Sequence, residues 1–193
     1  MKKVLSDIFA KNGGYLSRSE IDSRAVYYHL LDMVKSGTVD RVKAGVYYYN
    51  PDDDGLMIDI NRVVPDGVLC LYSAWFYYDL TLQIPQSYTV AVNRSRKYSL
   101  PHYPPITLYF WGKEYHEIGI THREINGYNV PIYNLEKCVC DAVKYRTKVG
   151  IDVCKEIVNS YIKRKDRNLM RLMEYARKMR VESTLKKYME VIL

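Results

Sequence analysis

The side chains that enzymes use occur in this chain without the spacing that enzyme chemistry needs. None of the four histidines lies in an HExxH motif, and no GxSxG turn presents a nucleophilic serine. The phosphate-cradling motifs GxxxxGK followed by Ser or Thr, and GxGxxG, are also missing from the sequence. We therefore expect a protein that is not an enzyme and needs no cofactor.

Two groups of carboxylates could hold a metal ion, but each has a simpler interpretation. The acidic run at 52–54 stands in a segment with proline and glycine, where a nuclease-like metal pair would be poorly preorganised. Glu114 and His116 would share one face of an expected strand, while Glu117 points away. An exposed strand end is the interpretation that we favour for these three residues.

The cysteines and the N-terminus predict a cytoplasmic protein. No apolar stretch of signal-peptide length follows the two N-terminal lysines. Cys138 and Cys140 are two positions apart, which directs them to different faces of a helix, so we expect reduced, buried thiols and no metal. The longest nearly apolar run, 68–78, is far shorter than the ~20 residues that cross a bilayer. We expect no membrane span.

Length and charge favour a two-part protein with a polyanionic partner. The 193 residues, 48% hydrophobic and 26% charged, suit one large globular domain or two small ones. The net charge of +7 lies at the ends: residues 1–50 carry 8 basic and 5 acidic groups, 51–150 carry 10 and 11, and 151–193 carry 11 and 6. Tyrosine is abundant, with 20 against 3 Phe and 2 Trp, which suits half-buried surfaces and which biased genomic composition explains equally well.

The first fifty residues have the order of elements of a winged helix-turn-helix domain. Apolar spacing, caps and glycine stops predict three helices followed by a hairpin. The predicted elements are a helix up to Gly13-Gly14, a short helix after the Ser17–Glu20 capping box, a third helix from the Ser23 cap to Gly37, and β-prone segments 38–42 and 46–49 joined at 43–45. We expect residues 1–50 to bind DNA.

The third helix is the expected recognition element, because the helix after the short turn enters the major groove. At 100° per residue, the side opposite its apolar face carries Arg24, Ala25, Tyr28, Asp32 and Lys35, with His29 at the margin. Arg24 can bond guanine, Tyr28 can reach a phosphate or a thymine methyl, and Arg41 and Lys43 of the expected wing can neutralise phosphates. Asp32 would repel DNA, so a solvated helix face or a protein-interaction surface is the alternative.

A proline- and glycine-containing acidic segment, 51–55, predicts a linker, and residues 56–193 predict an α+β domain with a small antiparallel sheet. The run 68–78 is expected to be one helix, capped by Asp66 and buried nearly all round. The other expected elements are a helix at 56–64, strands at 88–92 and 106–111, a hairpin of 121–125 and 128–132 about Asn126-Gly127, and helices at 135–145 (capped by Asn134), 151–162, 169–178 and 182–192.

The C-terminal region offers a second basic patch for a polyanion such as RNA. Its residues are Lys163, Arg164, Lys165, Arg167 and Arg171. Downstream, Glu174 stands four residues before Lys178, which indicates a salt-bridged helix face instead of a free cationic one. Both interpretations stay open.

Several motifs, taken in order, resemble the AbiEi family, the antitoxin and autoregulator components of type IV toxin-antitoxin systems in bacteria. The resemblance covers essentially the whole chain. Its motifs are GGYLSRSEI, RAVYYHLLDMVKSGTV, RVKAGVYYY, VVPDGVLCLYSAWFYYDLT and INGYNVPIYNLEKCVCDAVKYR. The late block departs from the commoner pattern, which often carries threonine where Cys138 or Val139 stands.

The resemblance implies a repressor of its own operon that binds inverted operator repeats upstream of its gene. It also implies a second domain that counters a nucleotidyltransferase-like toxin without a stable complex. The positions that match the family's DNA-binding part are Arg18, Ser19, Arg24 to Tyr28 (with Tyr27 among them), Arg41, Lys43 and Gly45, and those that match the second domain are Asp66, Gly67, Tyr72, Ser73, Ala74, Asp141, Tyr145 and Arg146. None of these residues is expected to be catalytic.

A second hypothesis comes from a different class of function. A winged-helix adaptor would bind a protein or an RNA partner through its large domain, and its basic ends would steer the encounter electrostatically. A stoichiometric partner that co-purifies with the chain would favour this adaptor over the type IV antitoxin.

Overall fold

A computed structural model describes residues 2–49, 60–94, 98, 100, 105–125 and 127–192. The chain is a mixed α+β protein with two sheets. The linker expected at 51–55, the first residues of the helix expected at 56–64, and Asn126 of the expected hairpin turn lie outside the described residues.

Residues 2–49, called here the N-terminal part, form helices around a three-stranded antiparallel sheet of order β1-β3-β2. The elements are α1 (Lys2–Lys11), β1 (Tyr15–Ser17), a 3-10 turn (Arg18–Glu20), α2 (Arg24–Lys35), β2 (Asp40–Lys43) and β3 (Val46–Tyr48). The predicted first and third helices and the hairpin are confirmed. The predicted second helix is a single turn.

Local capping explains where these elements begin. The Glu20 carboxylate accepts the Ser17 backbone N–H at 2.6 Å, which holds the 3-10 turn. The Ser23 hydroxyl accepts from the Val26 N–H at 3.5 Å and opens α2, as predicted. Along α2, Leu30 and Met33 are buried against α1 and the sheet, so one face of the helix is committed to the core.

The larger part, residues 60–192, contains a five-stranded mixed sheet of order β6-β5-β4-β8-β7. Its elements are α3 (Ile60–Val63), β4 (Val68–Leu69), α4 (Leu71–Tyr77), β5 (Tyr88–Asn93), β6 (Ile106–Trp111), α5 (Lys113–Glu117), β7 (Ile120–Ile125), β8 (Tyr128–Tyr133), α6 (Leu135–Val149), α7 (Ile151–Ile162), α8 (Leu169–Lys178) and α9 (Glu182–Ile192). The expected antiparallel sheet is wrong: β5 and β6 are parallel, as are β4 and β8.

The run 68–78 is not one helix. Its first two residues form β4, the central strand, which pairs with β5 on one side and with β8 on the other. Only the residues from Leu71 onward are helical, and Phe76 and Tyr77 are exposed. Asp66 has a φ of 63° and is not a helix cap. Pairing with two distant strands overrides the helical pattern of a short apolar run.

The segment around His116 is also helical, where a strand was expected. Residues Lys113–Glu117 form α5, and His116 is buried, so the expected exposed strand end is wrong. The backbone carbonyl of His116 accepts a hydrogen bond from the Tyr133 hydroxyl at 2.7 Å. This contact fixes α5 against β8.

The other described elements of the larger part lie close to their predicted positions, although α6 continues to Val149, four residues beyond its predicted end. Strands β5 to β8 lie where alternation placed them, and the last three helices match their predicted bounds. The Asn134 side chain accepts the Lys137 N–H at 3.1 Å and caps α6. All four cysteines are buried with free thiols. None of the helices in the described ranges combines the length and apolar character that a bilayer crossing needs.

The N-terminal part and the larger part are packed together along a seam, defined by Gly13, Tyr15, Lys43, Tyr48, Val63 and Tyr128. Tyr15 and Tyr48 are buried in the same hydrophobic cluster as the sheet of the larger part. The Tyr128 hydroxyl donates to the Gly13 carbonyl at 3.1 Å, and the Lys43 ammonium donates to the Val63 carbonyl at 3.3 Å. Within the N-terminal part, a Cβ on Gly14 would lie 2.7 Å from the Tyr48 ring. The close approach of the Gly14 backbone to this ring therefore needs glycine.

We expect the two parts to unfold together because they share buried side chains. Leu30→Ala empties space in the N-terminal core and should cost about 2–5 kcal/mol. Both tryptophans, Trp75 and Trp111, lie in the larger part, so their fluorescence reports on that part alone. The predicted result is a lower unfolding midpoint for the tryptophan signal. An unchanged midpoint with a separate, earlier loss of helix signal would contradict a coupled seam.

Candidate nucleic-acid interface

The outward face of α2 carries the side chains that sequence periodicity assigned to it. Arg24, the first residue of the helix, is exposed, and Tyr28 one turn later is 57% exposed. Ala25, Asp32 and Lys35 are exposed as well, whereas His29 is partly buried. The predicted exposure of this face is confirmed. It presents an arginine, a tyrosine and a lysine to solvent, with one carboxylate among them.

Arg18 holds the 3-10 turn, α2 and the β2–β3 hairpin together. Its guanidinium donates to the Ile21 carbonyl at 2.8 Å and lies 4.2 Å from the centroid of the Tyr27 ring. Its backbone N–H donates to the Gly45 carbonyl at 2.7 Å. A guanidinium over an aromatic face is an attractive cation–π contact. The structure therefore places Arg18 as a brace between elements, beside the exposed Ser19.

Tyr27 continues this connection into the sheet. Its hydroxyl lies 3.5 Å from the hydroxyl of Tyr47, a buried residue of β3. Burial, together with the hydrogen bond that Tyr47 shares with Tyr27, raises the pKa of Tyr47, which stays a neutral phenol near pH 7. Arg41 on β2 is exposed and is the cross-strand partner of Tyr47. Arg18, Tyr27 and Arg41 are thus brought together around one buried ring.

Lys43 is directed away from this group. Its ammonium donates to the Val63 carbonyl across the seam, and burial lowers the pKa of Lys43 from its ordinary value. A side chain that is held by a carbonyl of the larger part has less freedom to reach a phosphate. Arg41 is therefore the exposed cation of the hairpin that is best placed to do so.

The arginines of the predicted second basic patch bind groups of the protein itself. Arg164 forms two hydrogen bonds with Asp166, at 2.8 and 2.9 Å, and a third with the Tyr78 carbonyl. Arg167 donates to the Ile162 carbonyl at the end of α7. Arg171 lies 3.6 Å from the buried Glu136 carboxylate. Lys163 and Lys165 remain exposed.

The salt-bridged face predicted for α8 is confirmed. The Lys178 ammonium donates to the Glu174 carboxylate at 2.6 Å. Arg167 precedes α8, which begins at Leu169, so it is not part of this helix face. Together with the pairs of Arg177 and Lys186 with Glu182, these contacts give six of the eleven basic residues after position 150 a structural partner, so fewer free cations are available there than the charge alone suggests.

A buried ion pair in the larger part was not predicted. Lys137 and Asp141, one turn apart on α6, are 0% and 1% exposed, and the ammonium donates to the carboxylate at 2.6 Å. The ammonium also lies 4.1 Å from the centroid of the Trp111 ring and 4.4 Å from that of Tyr133. A lysine followed four residues later by an aspartate, among cysteines and valines, was the available signal.

The aromatic rings and the carboxylate together make this burial of charge tolerable. Desolvation raises the pKa of Asp141 to about 6, against the opposing effect of Lys137. The second carboxylate oxygen, Oδ2, and the nearby His116 Nε2 have no hydrogen-bond partner in the described structure. Burial also lowers the pKa of His116, so its imidazole is neutral at pH 7. Both side chains of the pair are thus buried from solvent.

Within the described ranges, no group of three or more His, Cys, Asp or Glu side chains converges as a metal site would. A scan against protein-family models and a search of curated proteins found no match for this chain. Among the described residues, the candidate functional features are the exposed face of α2, the β2–β3 hairpin beside it and the seam behind both.

We expect Lys137 and Asp141 to be strongly coupled in stability. Lys137→Met leaves a buried carboxylate without its cation and should cost about 3–5 kcal/mol in the free energy of unfolding. Adding Asp141→Val removes the orphaned charge and should recover most of that loss. Chemical denaturation of Lys137→Met, Asp141→Val and the double variant measures the coupling as a double-mutant cycle. A double variant no more stable than Lys137→Met would show that the pair is not energetically coupled.

Proposed function

We propose that the N-terminal part is a winged helix-turn-helix DNA-binding domain and that α2 is its recognition helix. The observation that carries this proposal is the succession of α1, β1, the 3-10 turn, α2 and the β2–β3 hairpin, with the exposed Arg24 and Tyr28 on the outward face of α2. The hydroxyl contact between Tyr27 and Tyr47 joins α2 to the hairpin, and in this proposal the hairpin acts as a wing that contacts the DNA backbone.

In this proposal each exposed residue has a separate role. Arg24, at the N-terminal end of α2, bonds a base edge in the major groove, for which the guanidinium fork fits guanine. Tyr28 contacts a phosphate or a thymine methyl, and Arg41 neutralises a phosphate from the hairpin. Arg18 acts through Tyr27 by holding α2 against the hairpin. The three basic charges that the first fifty residues carry in excess strengthen the attraction to DNA.

We further propose that the whole chain is an autoregulating antitoxin of the type IV kind. Support for this step is the resemblance to the AbiEi family in the order of its motifs. The DNA would be inverted repeats upstream of the protein's own gene. The larger part would counter a nucleotidyltransferase-like toxin without holding it in a stable complex.

Salt-dependent binding to a duplex from that upstream region tests the DNA-binding proposal. Arg41→Ala removes one phosphate contact and should reduce the slope of log K against log salt by about 1. Arg24→Ala should cost about 1–3 kcal/mol in binding and relax the preference at one base pair. Titrations at several salt concentrations, followed by fluorescence anisotropy, measure both effects.

Lys43→Ala is the matched control, because it removes a cation from the same hairpin. The ammonium of Lys43 is already bound to the Val63 carbonyl. The salt slope of Lys43→Ala should equal that of the wild type. The salt slope of Arg18→Ala should also be unchanged, but the DNA affinity of this variant should fall because Arg18 no longer holds α2 against the hairpin. If Lys43→Ala lowers the slope as much as Arg41→Ala does, the assignment of the phosphate contact is wrong. No binding at low salt would overturn the DNA-binding proposal.

The antitoxin proposal predicts a growth phenotype. Expression of the adjoining gene alone should arrest growth, and co-expression of the full chain should restore it. Because no stable complex is proposed, affinity purification of the chain should not recover the toxin in stoichiometric amount. Failure to restore growth would refute antitoxin action, and a stoichiometric complex would favour the adaptor function instead.

A further inference from the structure

The buried Lys137 ammonium lies among three aromatic rings with a carboxylate beside it. The centroids of the Trp111, Tyr115 and Tyr133 rings lie 4.1, 5.9 and 4.4 Å from its nitrogen. The Asp141 carboxylate accepts a hydrogen bond from the ammonium at 2.6 Å. Aromatic rings around a cation are the arrangement by which proteins recognise ammonium ligands. The three rings and the Asp141 carboxylate are called here the ammonium cage.

The rings of the cage are held in place without help from Lys137. They come from three different elements, β6, α5 and β8, and each is anchored at its polar edge by a hydrogen bond. The bonded groups are the Trp111 indole and the Tyr145 hydroxyl at 2.5 Å, the Tyr133 hydroxyl and the His116 carbonyl at 2.7 Å, and the Tyr115 hydroxyl and the Met179 carbonyl. We therefore expect the cage to keep its shape when the Lys137 side chain is removed.

Lys137 fills the cage with the outer atoms of its side chain. Its Cβ lies against the backbone of Gly119, where a Cβ added to the glycine would come within 2.8 Å of it. Beyond Cβ, a lysine side chain consists of three methylene groups and the ammonium. Free propylammonium has the same number of carbons and the same charged group. It therefore matches the part of the side chain that Lys137→Ala removes.

The carboxylate makes the cage selective for a cation. Asp141 is 1% exposed, so a neutral occupant would leave its charge buried without a counterion. Its Oδ1 accepts the Lys137 ammonium, whereas Oδ2 has no hydrogen-bond partner within the part of the chain that the structure describes. An ammonium has three N–H donors, so the carboxylate can accept a second hydrogen bond from it. The rings and the carboxylate both favour an ammonium over an alcohol of the same size.

We propose that the ammonium cage is a binding site for a primary alkylammonium and that the chain's own Lys137 side chain occupies it as a built-in ligand. When that side chain is truncated, free propylammonium takes its place between the rings and the Asp141 carboxylate. The site lies in the larger part, and it does not depend on whether the N-terminal part binds DNA.

Lys137→Ala in the full chain, titrated with propylammonium chloride, tests the site. A ligand that binds only the folded variant raises its urea unfolding midpoint as the ligand concentration rises. The small size of the ligand limits its affinity, so the expected dissociation constant is about 1–10 mM. Small molecules reach buried cavities through local opening of the fold. The wild type, whose cage is filled, should shift no more in propylammonium chloride than in sodium chloride of equal concentration.

Three controls separate ammonium recognition from the filling of empty space. The neutral alcohol propanol should bind Lys137→Ala at least ~10-fold more weakly than propylammonium, because it leaves the carboxylate unpaired. Combining Lys137→Ala with Asp141→Asn should weaken propylammonium binding by at least ~10-fold, since the counterion is lost. Leu30→Ala is the matched cavity control, because it opens a space in the apolar core of the N-terminal part and should not respond to propylammonium.

Stabilisation of Lys137→Ala that propanol or sodium chloride reproduces would overturn the proposal, because the cage would then not distinguish an ammonium. An unchanged midpoint at about 100 mM propylammonium, which is at least ~10-fold above the expected dissociation constant, would overturn it too. If Lys137→Ala is unfolded in buffer alone, far-UV circular dichroism follows the same titration. Propylammonium should then restore the helix signal, and a variant that stays unfolded at about 100 mM would refute the site.

Discussion

The seam between the N-terminal part and the sheet of the larger part determines the direction in which α2 faces. Tyr15 and Tyr48 pack on one side of it, Tyr128 lies on the other, and the Lys43 ammonium is bound to the Val63 carbonyl. Each tyrosine contributes a ring to the packing, and Tyr128 adds a hydrogen bond to Gly13. This double use of tyrosine suits half-buried contacts, one of the two explanations that composition left open. The seam makes the outward face of α2 a preformed surface, because the small sheet on which the helix packs is itself held against the larger part.

Much of the fold could be predicted because its elements are governed by neighbouring residues. Ser23 and Asn134 mark helix starts by local hydrogen bonds, and the bounds of α7, α8 and α9 follow from apolar spacing between breaks. The failures occur where distant pairing decides. Val68 and Leu69 become the central strand because β5 and β8 flank them, and a two-residue strand leaves no periodic signal.

The candidate interface likewise has features that could be predicted from the sequence and features that could not. Exposure of Arg24 and Tyr28 follows from helical geometry and could be predicted, whereas the roles of Arg18 and Lys43 depend on contacts between elements. The Lys137–Asp141 pair was missed because a lysine in sequence predicts a solvated side chain, and only the assembled rings of Trp111 and Tyr133 make its burial tolerable. Long-range packing thus converts ordinary surface residue types into structural ones.

We propose that the outward face of α2 contacts DNA while the larger part lies on the far side of the helix. A photoreactive phenylalanine analogue at position 28, mixed with a duplex from upstream of the gene and irradiated, tests this contact directly. Crosslinking to DNA from position 28, and none from the more exposed position 170 on α8, is the predicted result. Crosslinking from position 170 but not from position 28 would contradict the claim and move the nucleic-acid surface to the C-terminal helices.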